Sequence, residues 1–503
     1  MDRMPCRFLI AGLLAAVLLA PVSSQAQYTA SDQTNTISGV VSNWNGQYVV
    51  GSMGLSPVAD DLLIDDGGVF SPGSLYVGNP TPFTSSNSVL ITDPGSALLL
   101  PPGISANLTI AGLGDSLVIS NGGEMVTSPV GPGGGVSADM YNGPNSILVT
   151  GLGSVWSNSD GETIIGDSSA GSSLAIRNGG VMINSSSLGA VQIGFGMGLT
   201  QSSNNTLLVA DPGSVLSYGS RGNVIIGNNG YGNSMVISNG GAVFDRDGRV
   251  ASGPGPSSGN SAQVVGTGSV WSNSDQMTIQ GLSNSLVIGN GGKVFDTSGG
   301  AGSSGSSNSV QVISNGLWQN GTLTVGGSGS GNSLTINGGA ISATSLAIGP
   351  GSPTCDNLVE LDSGSLTVTN NGNGVVQVSG GRLILSGGVL QVDTLQFTGS
   401  CASFVHTGGT LIAGSVVLDP NTFRIVSVTP QGNDMLVTWM MGPGATNTLQ
   451  VTSGDGNGNY VTNGFTDVFI VTNNTAVGTV TNYLDIGAAT NKPSRFYRAR
   501  LVP

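Results

Sequence analysis

Acidic side chains are the residues of this chain whose spacing could support catalysis. They form two groups. The first consists of Asp160, Glu162 and Asp167, and the second of Asp245 and Asp247 together with Arg246 and Arg249. Glycoside hydrolysis needs two carboxyl groups on one face of a protein, and polysaccharide lyases commonly combine acidic Ca²⁺ ligands with a Lys or Arg base. Acidic residues between glycines are more often solvated turn residues. We therefore treat catalysis as the minor hypothesis and expect no catalytic residues.

Metal binding is the second chemistry that the acidic residues suggest. Asp60, Asp61, Asp65 and Asp66 lie close together and carry the carboxylate oxygens that Ca²⁺ prefers. The Gly-Gly-x-Gly-x-Asp repeat of calcium-binding β-rolls is absent, so a solvated cluster is expected. The single histidine, His406, makes neither a metal site nor a catalytic triad by itself. The sequence predicts no metal and no cofactor.

The composition narrows the class of protein. Gly accounts for 83 of the 503 residues and only 8% of residues are charged, which is typical of short strands and turns rather than of an ordinary globular enzyme. The formal net charge is -14, from 13 basic and 27 acidic residues. Nucleic-acid binding needs clustered Lys or Arg to neutralise phosphates, so no nucleic-acid partner is expected.

A repeated block predicts the architecture. Units open alike at Asn233, Asn260, Asn284 and Asn308, which are 27, 24 and 24 residues apart, and this period leaves no room for a helix in each unit. The fifth residue of twelve units is aliphatic: Ile64, Ile91, Ile119, Val149, Ile176, Val209, Ile237, Val264, Ile288, Val312, Ile336 and Leu361. The third residue is apolar as well, so this pair indicates the inward face of a short strand.

Each unit continues through a glycine bend into further strands. The ninth residue is Gly in the first ten units, where a side chain would clash or φ must be positive. A second apolar pair follows, such as Val270-Trp271, and many units then have a third strand that ends in Gly, as at Gly227. This pattern predicts an all-β fold, a right-handed parallel β-helix of about 12–14 coils over residues 27–420.

Two features of the units leave alternatives open. The Asn that opens most units either stacks along one edge, its amide bonding to the next coil, or serves as a simple turn residue. Residues 127–144, 245–259 and 296–307 carry Gly, Pro and Ser where other units have a third strand. We expect these segments to project from one side of the rod, either as a binding face or as flexible excursions without a partner.

Large apolar residues hold a similar place in five units. They are Trp156, Leu216, Phe244, Trp271 and Phe295. An outward stripe could stack on sugars or on another protein, whereas an inward stripe would fill the rod. Packing is favoured because Leu and Phe alternate with Trp. The aromatic members Trp156, Phe244, Trp271 and Phe295 remain the candidate binding stripe.

The N-terminus has the form of a signal peptide. Arg3 and Arg7 precede an apolar segment that is too short for a spanning helix, and small residues lead to Ala26. We expect residues 1–26 to be cleaved off after Ala26 during Sec-dependent export from a bacterium, with an uncleaved anchor as the alternative. No later stretch of the sequence is long and apolar enough to cross a membrane, so no membrane span is expected after cleavage.

Cys355 and Cys401 remain in the mature chain, and export permits them to form a disulfide. Their separation of 46 residues is close to two periods. Two rungs of about 4.8 Å would place their Cα atoms beyond the usual limit of about 7 Å unless the coil between them is irregular. Pairing and non-pairing both stay open.

The strand pattern of the sequence changes in residues 421–503. Longer alternating strands, for example 435–439 and 467–471, are joined by Asn and Gly turns. Five or six strands in about 80 residues indicate a small antiparallel β-sandwich of the fibronectin type III or immunoglobulin sort. Trp439 is its expected core aromatic.

Two motif lines resemble a known repeat family. Asn-Ser-Leu-Val-Ile-Ser-Asn-Gly-Gly-like lines at 233–241 and 284–292 alternate with Val-Thr-Gly-Leu-Gly-Ser-Val-Trp-Ser-Asn-like lines at 149–158 and 264–273. Over roughly residues 60 to 350 the chain is similar to repeats of bacterial type V secretion (autotransporter) passengers and of PEP-CTERM-associated exported proteins. The resemblance implies an exported β-helix that serves as surface or matrix material rather than as an enzyme.

The C-terminal sequence departs from both groups. It has no Pro-Glu-Pro motif followed by an apolar helix and a basic tail, and its last 80 or so residues are too few for a twelve-stranded translocator. We therefore expect a passenger-like architecture without self-export. The tail Ser494-Arg495-Phe496-Tyr497-Arg498 resembles the closing β-module of some large secreted bacterial proteins.

The sequence thus predicts a non-enzymatic, secreted or surface-exposed repeat scaffold. Its expected partners are an extracellular polysaccharide or a surface protein, as for an adhesin or a matrix component. The alternative is a β-helix polysaccharide lyase or glycoside hydrolase.

Overall fold

The structure is a computed structural model that describes residues 33–51, 59–78, 86–101, 108–128, 136–159, 161–184, 189–196, 202–219, 221–252, 257–352, 354–399, 401–418, 425–441, 446–455, 457–474, 479–490 and 494–502. The predicted signal peptide and the candidate Asp160 lie outside these residues. Within them, no helix is long and apolar enough to span a membrane.

Short β-strands and turns make up the described chain. The first thirty-nine strands are β1 Thr34–Ser38, β2 Val41–Val50, β3 Asp61–Asp65, β4 Val69–Val77, β5 Ser88–Thr92, β6 Ala97–Leu100, β7 Leu108–Ala111, β8 Ser116–Ser120, β9 Glu124–Thr127, β10 Val136–Tyr141, β11 Ser146–Thr150, β12 Val155–Asn158, β13 Glu162–Asp167, β14 Ser173–Arg177, β15 Val181–Asn184, β16 Ala190–Phe195, β17 Ser202–Ser203, β18 Thr206–Ala210, β19 Val215–Ser217, β20 Asn223–Asn228, β21 Gly230–Tyr231, β22 Ser234–Ser238, β23 Ala242–Ser252, β24 Ser261–Val265, β25 Val270–Leu282, β26 Ser285–Gly289, β27 Lys293–Phe295, β28 Ser298–Ser306, β29 Ser309–Ile313, β30 Leu317–Gln319, β31 Thr322–Val325, β32 Ser333–Ala343, β33 Ser345–Ile348, β34 Asn357–Val368, β35 Val375–Val378, β36 Gly381–Leu385, β37 Val389–Phe397, β38 Ser403–His406 and β39 Thr410–Leu418. The last six are β40 Ile425–Gln431, β41 Asp434–Met441, β42 Thr446–Thr452, β43 Thr466–Thr472, β44 Thr479–Asp485 and β45 Phe496–Val502.

The first part of the chain forms the predicted parallel β-solenoid. A hydrogen-bonded system of 37 parallel strands winds through about 12 turns. Each coil adds one strand segment to each of three sheets. The first sheet contains β22, β24 and β26, the second contains β12, β15 and β19, and the third contains β13, β16 and β20. Long strands such as β23 and β25 run through both the second and the third sheet.

The aliphatic column inside the rod has the predicted register. Ile237 pairs with Val264, Val264 with Ile288, and Ile288 with Val312. All four side chains are 0% exposed. Fully burying a side chain of this kind contributes about 1.5–3 kcal/mol, and each coil buries several such side chains. The stack of coils is therefore held by a continuous apolar interior.

A ladder of buried side chains runs along the edge between the third and first sheets. The Asn233 N–H and its Nδ2 both donate to Oδ1 of Asn260, at 3.0 and 3.1 Å, and Asn260 donates to Asn284 in the same way. The same bond repeats along the rod, where the backbone N–H of each ladder residue donates to a side-chain oxygen of the next one. The series runs in this order: Gln33, Asp60, Asn87, Asp115, Asn145, Ser172, Asn205, Asn233, Asn260, Asn284, Asn308, Asn332 and Asn357. The stacking interpretation of the repeated Asn is confirmed.

Glycines in the turns keep the coils close together. Gly227 ends a third-sheet strand with φ of +77°, and a Cβ there would lie 2.3 Å from Cγ of the ladder residue Asn260. At the bend between the first and second sheets, a Cβ on Gly241 would lie 2.3 Å from the carbonyl oxygen of Val209. Both distances are too short for any side chain, so both recurring glycines follow from the stacking of the coils.

The two motif lines alternate because their bends hydrogen-bond to one another. The Gly122 N–H donates to Oγ of Ser154, and the Gly240 N–H donates to Oγ of Ser269, both at 3.0 Å. In each pair a Gly-Gly bend lies one coil before a Gly-Ser bend. The serine hydroxyl satisfies a backbone donor that the tight Gly-Gly turn leaves without a partner in its own coil.

The three units that were expected to lack a third strand contain one. Strands β10, β28 and the second half of β23 occupy that place, so this prediction was wrong. A Cβ on Gly248 would lie 2.6 Å from Cζ2 of Trp271, and a Cβ on Gly299 would lie 2.7 Å from Cζ2 of Trp318. The indole of the following coil fills the space that an aliphatic side chain takes elsewhere. Glycine therefore replaces the apolar residues by which a strand is recognised in sequence.

Cys355 and Cys401 form a disulfide with a Cα–Cα distance of 5.1 Å. Asn357 pairs with Gly381, and the adjacent Arg382 pairs with Ser403, so the cysteines belong to coils two rungs apart. The segment before Asn357 is a turn that approaches the intervening coil at Gly380, whose Cβ would lie 3.3 Å from the carbonyl oxygen of Thr354. The irregular turn brings together two positions that regular coils would separate.

Residues 425–502 form two small antiparallel sheets, β40-β41-β44 and β43-β42-β45. Trp439 is fully buried between them and makes an edge-on contact with Phe469, with ring centroids 6.0 Å apart. Trp439 is thus the core aromatic that the sequence predicted. Met440 points the other way and joins the apolar core of the solenoid, so the sheet β40-β41-β44 covers the end of the rod.

Replacing one ladder residue should destabilise the whole rod. In Asn284→Ala, the N–H and Nδ2 of Asn260 lose their acceptor, and an unsatisfied buried donor costs about 1–3 kcal/mol. We expect a lower urea midpoint with an unchanged slope. Gln311→Ala, which removes an exposed amide from a first-sheet strand, should change the free energy of unfolding by no more than about 0.5 kcal/mol. Equal effects of the two variants would contradict the ladder's role.

Candidate functional site

The candidate aromatic stripe does not lie on one face. Trp156 and Trp271 are 0% exposed and point into the rod, in register with Met182 and Val294. Phe244 and Phe295 come one residue later in their strands, so they point outward. Phe244 is 41% exposed and Phe295 is half-buried. The sequence alignment placed Phe244 and Phe295 level with the tryptophans, which was wrong by one residue. In a strand, a shift of one residue reverses the direction of the side chain.

The two outward phenylalanines share one column of the second sheet. Phe244 pairs with Ser272, and Ser272 pairs with Phe295, so the rings are two rungs apart, about 9.6 Å at 4.8 Å per rung. The small Ser272 leaves a gap between them. Beside Phe244, the exposed Arg246 lies 3.7 Å from Asp275. The patch thus combines two apolar rings with charged and hydroxyl groups.

The candidate group around Asp245 is part of a strand, not of a projecting loop. Asp245 is 2% exposed and points into the rod, where Oδ2 accepts the Val224 N–H at 3.1 Å. Asp247 is 0% exposed and forms ion pairs with Arg249 at 3.0 Å and Arg246 at 3.3 Å. Asp245 is thus bonded to the backbone inside the rod, whereas Asp247 is held by two arginines.

Asp245 belongs to a buried polar column at the inner end of the second sheet. Its members in successive coils are Thr127, Asn158, Asn184, Tyr218, Asp245, Asn273, Asp296 and Asn320. Indole N–H groups donate to this column one coil back, from Trp156 to Oγ1 of Thr127 at 3.2 Å and from Trp318 to Oδ2 of Asp296 at 2.6 Å. The column therefore gives Trp156 and Trp318 their polar partners.

Burial changes the acidity of the two aspartates in this column. Desolvation raises the pKa of Asp296 to about 7, although the indole hydrogen bond from Trp318 lowers it in part. Desolvation also raises the pKa of Asp245 well above its ordinary value, with the charge of Asp247 as a lesser cause. Both groups act structurally, since they face the interior of the rod.

A second acidic cluster lies on the outward face of the third sheet. Glu162, which the sequence singled out, accepts Nε2 of Gln192 at 2.8 Å, and Oε1 of Gln192 accepts Nδ2 of Asn228 at 2.6 Å. Asp167 accepts the Ser168 hydroxyl at 3.0 Å. Glu162 and Asp167 therefore share a face with a polar chain that crosses three coils.

Asp139 and Tyr141 join this cluster, although the sequence pattern indicated neither residue. Tyr141 pairs with Asp167 across one rung. Desolvation, with the charge of Asp167 as a lesser cause, raises the pKa of Asp139 to about 7. Both residues lie in a segment assigned as irregular, yet the inward alternation of Ala138 and Met140 around Asp139 marks a strand. Glycoside hydrolysis uses two carboxyl groups on one face, of which the general acid has a raised pKa, as Asp139 does.

The predicted calcium cluster is divided among different roles. Asp60 is a rung of the ladder, where Oδ1 accepts the Gln33 N–H at 3.0 Å. Asp61 points outward and its Oδ1 accepts the Ser88 hydroxyl at 2.5 Å, while Asp66 occupies a turn with φ of +50°. In the described part of the chain, no three His, Cys, Asp or Glu side chains are placed to hold a metal ion.

His406 lies at the end of the solenoid. Its ring is exposed and stacks on Phe404 with centroids 5.8 Å apart. Together with Leu395, Leu411 and Met440 it lines a cavity of about 660 Å³ between the last coils and the sheet β40-β41-β44. The cavity marks where the C-terminal sheets cover the open apolar end of the rod.

The C-terminal motif Ser494-Arg495-Phe496-Tyr497-Arg498 has a structural role. Arg495 forms a two-pronged ion pair with Asp485, with Nη2 2.9 Å from Oδ1, and the Tyr497 hydroxyl donates to the same carboxylate at 2.8 Å. Arg498 lies over the Phe465 ring at 4.2 Å from its centroid. The contacts to Asp485 tie β44 and β45 of opposite sheets together.

Comparison with protein-family models and with curated proteins found no match for this chain. The interpretation of its surfaces therefore depends on their geometry and chemistry.

The buried aspartates predict that stability falls as pH rises. A carboxyl group whose folded pKa is raised stabilises the fold fully below its unfolded pKa of about 4, and this contribution is lost as pH rises through the folded value near 7 for Asp296. Asp296→Asn removes the titration and keeps an acceptor for Trp318. We expect this variant to gain on the order of 2 kcal/mol over the wild type between pH 5 and pH 8, measured by thermal unfolding.

Asp393→Asn is the matched control for this pH effect. Oδ2 of the exposed Asp393 accepts three backbone N–H groups, from Asn370, Gly372 and Gly374, and these bonds lower its pKa. Its substitution should lower stability at both pH values. A gain for Asp296→Asn that is the same at pH 5 and pH 8 would show that the titration of Asp296 does not contribute.

Proposed function

We propose that this protein is an exported, non-enzymatic rod scaffold of a bacterial cell surface or extracellular matrix, and that it binds an extracellular polysaccharide. The observation that carries the proposal is the outward placement of Phe244 and Phe295 on one column, with the small Ser272 between them. Aromatic rings stack on the apolar faces of sugars, and flanking polar groups bond to the hydroxyls. The spacing of two rungs is close to the length of a disaccharide in an extended β-1,4-linked polymer.

Export is the first part of the proposal. The sequence of residues 1–26 has the form of a Sec signal, and a disulfide such as Cys355–Cys401 is typical of proteins that fold outside the cytoplasm. The alternating motif lines resemble those of autotransporter passengers and PEP-CTERM-associated proteins. The regular bends that these lines form supply a long, stable rod, which is what a surface scaffold or adhesin requires.

The fibronectin type III or immunoglobulin-like assignment of the C-terminal module is a further part of the proposal. Strands β40, β41 and β44 form one sheet and strands β42, β43 and β45 the other, which corresponds to the partition of the early strands in such sandwiches. We assign this module two roles, to close the end of the rod and to present a surface of its own.

Sugar binding can be tested with the mature chain, residues 27–503. On glycan arrays and in pull-downs with insoluble polysaccharides, the double variant Phe244→Ala, Phe295→Ala should bind at least about tenfold more weakly, a loss of ~1.4 kcal/mol or more. Leu282→Ala is the matched control, because Leu282 is 54% exposed at the end of β25, outside the second sheet, and has no ring. Binding that survives the double variant, or that falls equally in the control, would refute the proposed site.

A polysaccharide lyase or glycoside hydrolase is the second candidate function, and Asp139 is the observation that favours it. Its raised pKa beside Asp167 suits a general acid. The two functions are separated by incubating the mature chain with neutral and acidic polysaccharides and measuring new reducing or unsaturated ends. The scaffold predicts no products. Products that disappear in Asp139→Asn, while Phe244→Ala, Phe295→Ala retains the ability to form them, would favour the enzyme.

A further inference from the structure

The outward face of the first sheet repeats in a way that the fold does not require. We call it the serine face and define it by the outward side chains of ten strands from β5 to β32. One column carries a hydroxyl in every coil: Ser88, Ser116, Ser146, Ser173, Thr206, Ser234, Ser261, Ser285, Ser309 and Ser333. The next column is mostly aliphatic: Leu90, Val118, Leu148, Ala175, Leu208, Val236, Gln263, Val287, Gln311 and Thr335.

Other outward positions of the same coils show that the solenoid tolerates variation. The central outward column of the third sheet carries Asp139, Ile164, Gln192, Ile225 and Arg249 in successive coils. Stacking of the coils therefore does not impose one residue type on an outward column. The uniformity of the serine face needs a reason outside the stability of the single rod.

The serine face is almost free of charge. Arg177, at the edge near the bend, is its charged residue, and it lies 3.7 Å from Asp211. The formal net charge of -14 is therefore carried by other parts of the molecule. Two copies can bring these faces together without placing like charges opposite one another.

The size of the serine face matches what a stable dimer needs. Ten rungs of about 4.8 Å and a width of five residues at about 3.3 Å give roughly 800 Å². A standard protein interface buries about 800 Å² on each partner. The face is also built like one side of a dry sheet-to-sheet interface, in which in-register columns of short identical side chains interdigitate.

We propose that two copies of this chain pack through their serine faces to form a symmetric dimer. Isologous contact requires a self-complementary surface, and a regular column of small hydroxyls beside an aliphatic ridge mates with its own copy in either rod direction. The mostly aliphatic column lacks the aromatic rings that bind sugars, so we assign this face to a protein partner rather than to a polysaccharide. The dimer would leave Phe244 and Phe295 accessible on the second sheet.

Leu208→Glu tests the dimer, since Leu208 lies near the middle of the face and points outward. Sedimentation velocity and light scattering of the mature chain over a wide concentration range should show a wild-type dimer that dissociates on dilution. Leu208→Glu should weaken association at least tenfold. Val215→Glu is the matched control, because Val215 is a half-exposed aliphatic residue on the second sheet of the same coil, and it should dimerise like the wild type.

A charge-complementation arm keeps the test independent of folding. Leu208→Glu and Leu208→Lys should each be monomeric, and an equimolar mixture should recover a heterodimer because position 208 lies close to its counterpart at the middle of the interface. A monomeric wild type at every concentration would overturn the proposal. Equal weakening by Leu208→Glu and Val215→Glu, or a mixture that stays monomeric, would overturn it as well. Loss of sugar binding in the phenylalanine variants leaves this result unaffected, so the two proposals fail separately.

Discussion

This structure depends on one constraint: in each coil, a buried backbone N–H must find its acceptor in a side chain of the next coil. At the edge between the third and first sheets the chain must turn, and a turn leaves backbone donors that the buried edge cannot offer to water. A side-chain oxygen from the following coil accepts that donor, from Gln33 to Asn357. Asn suits the position because its amide also donates to the next ladder residue, as Asn233 does to Asn260. The Ser172 hydroxyl donates to the Gly143 carbonyl instead, and the Asp115 carboxylate only accepts, from Asn87.

The rest of the repeat follows from this ladder. The strand that leads into it ends in glycine in most coils, since a Cβ at Gly302 or Gly326 would lie 2.1 Å from atoms of the next amide. Ala251 holds this place in one coil, with φ of +65°. The length of a coil is free to vary as long as the ladder residue returns to its place. Units that open at Ser172 and Asn205 are therefore longer than those that open at Asn284 and Asn308, and yet all four positions are rungs of one ladder.

Most of the architecture could be predicted from the sequence, because the inward aliphatic pair and the glycine bend depend on contacts that repeat in every coil. Prediction failed where a contact between coils replaced the local pattern. At Gly248 the Trp271 indole fills the space of a side chain, so this strand lacks an apolar residue there and looks like a loop in the sequence. The same cause hid Asp139, whose strand has only Ala138 and Met140 to reveal it. Phe244 was misplaced because the alignment was off by one residue, which no composition rule can detect.

The ends of a solenoid determine how it can meet a partner. An uncovered end presents both unpaired backbone and an open apolar interior, and would favour end-to-end growth. Here Trp44 and Tyr48 pack at one end, with Tyr48 4.9 Å from Phe70, and Met440 of the C-terminal sheets packs at the other. The long sides of the rod offer other molecules a larger surface than its ends do. The three sides differ in chemistry, since one is regular and almost free of charge, one carries outward phenylalanines, and one carries acids of raised pKa. Each side can therefore serve a separate interaction on one rigid frame.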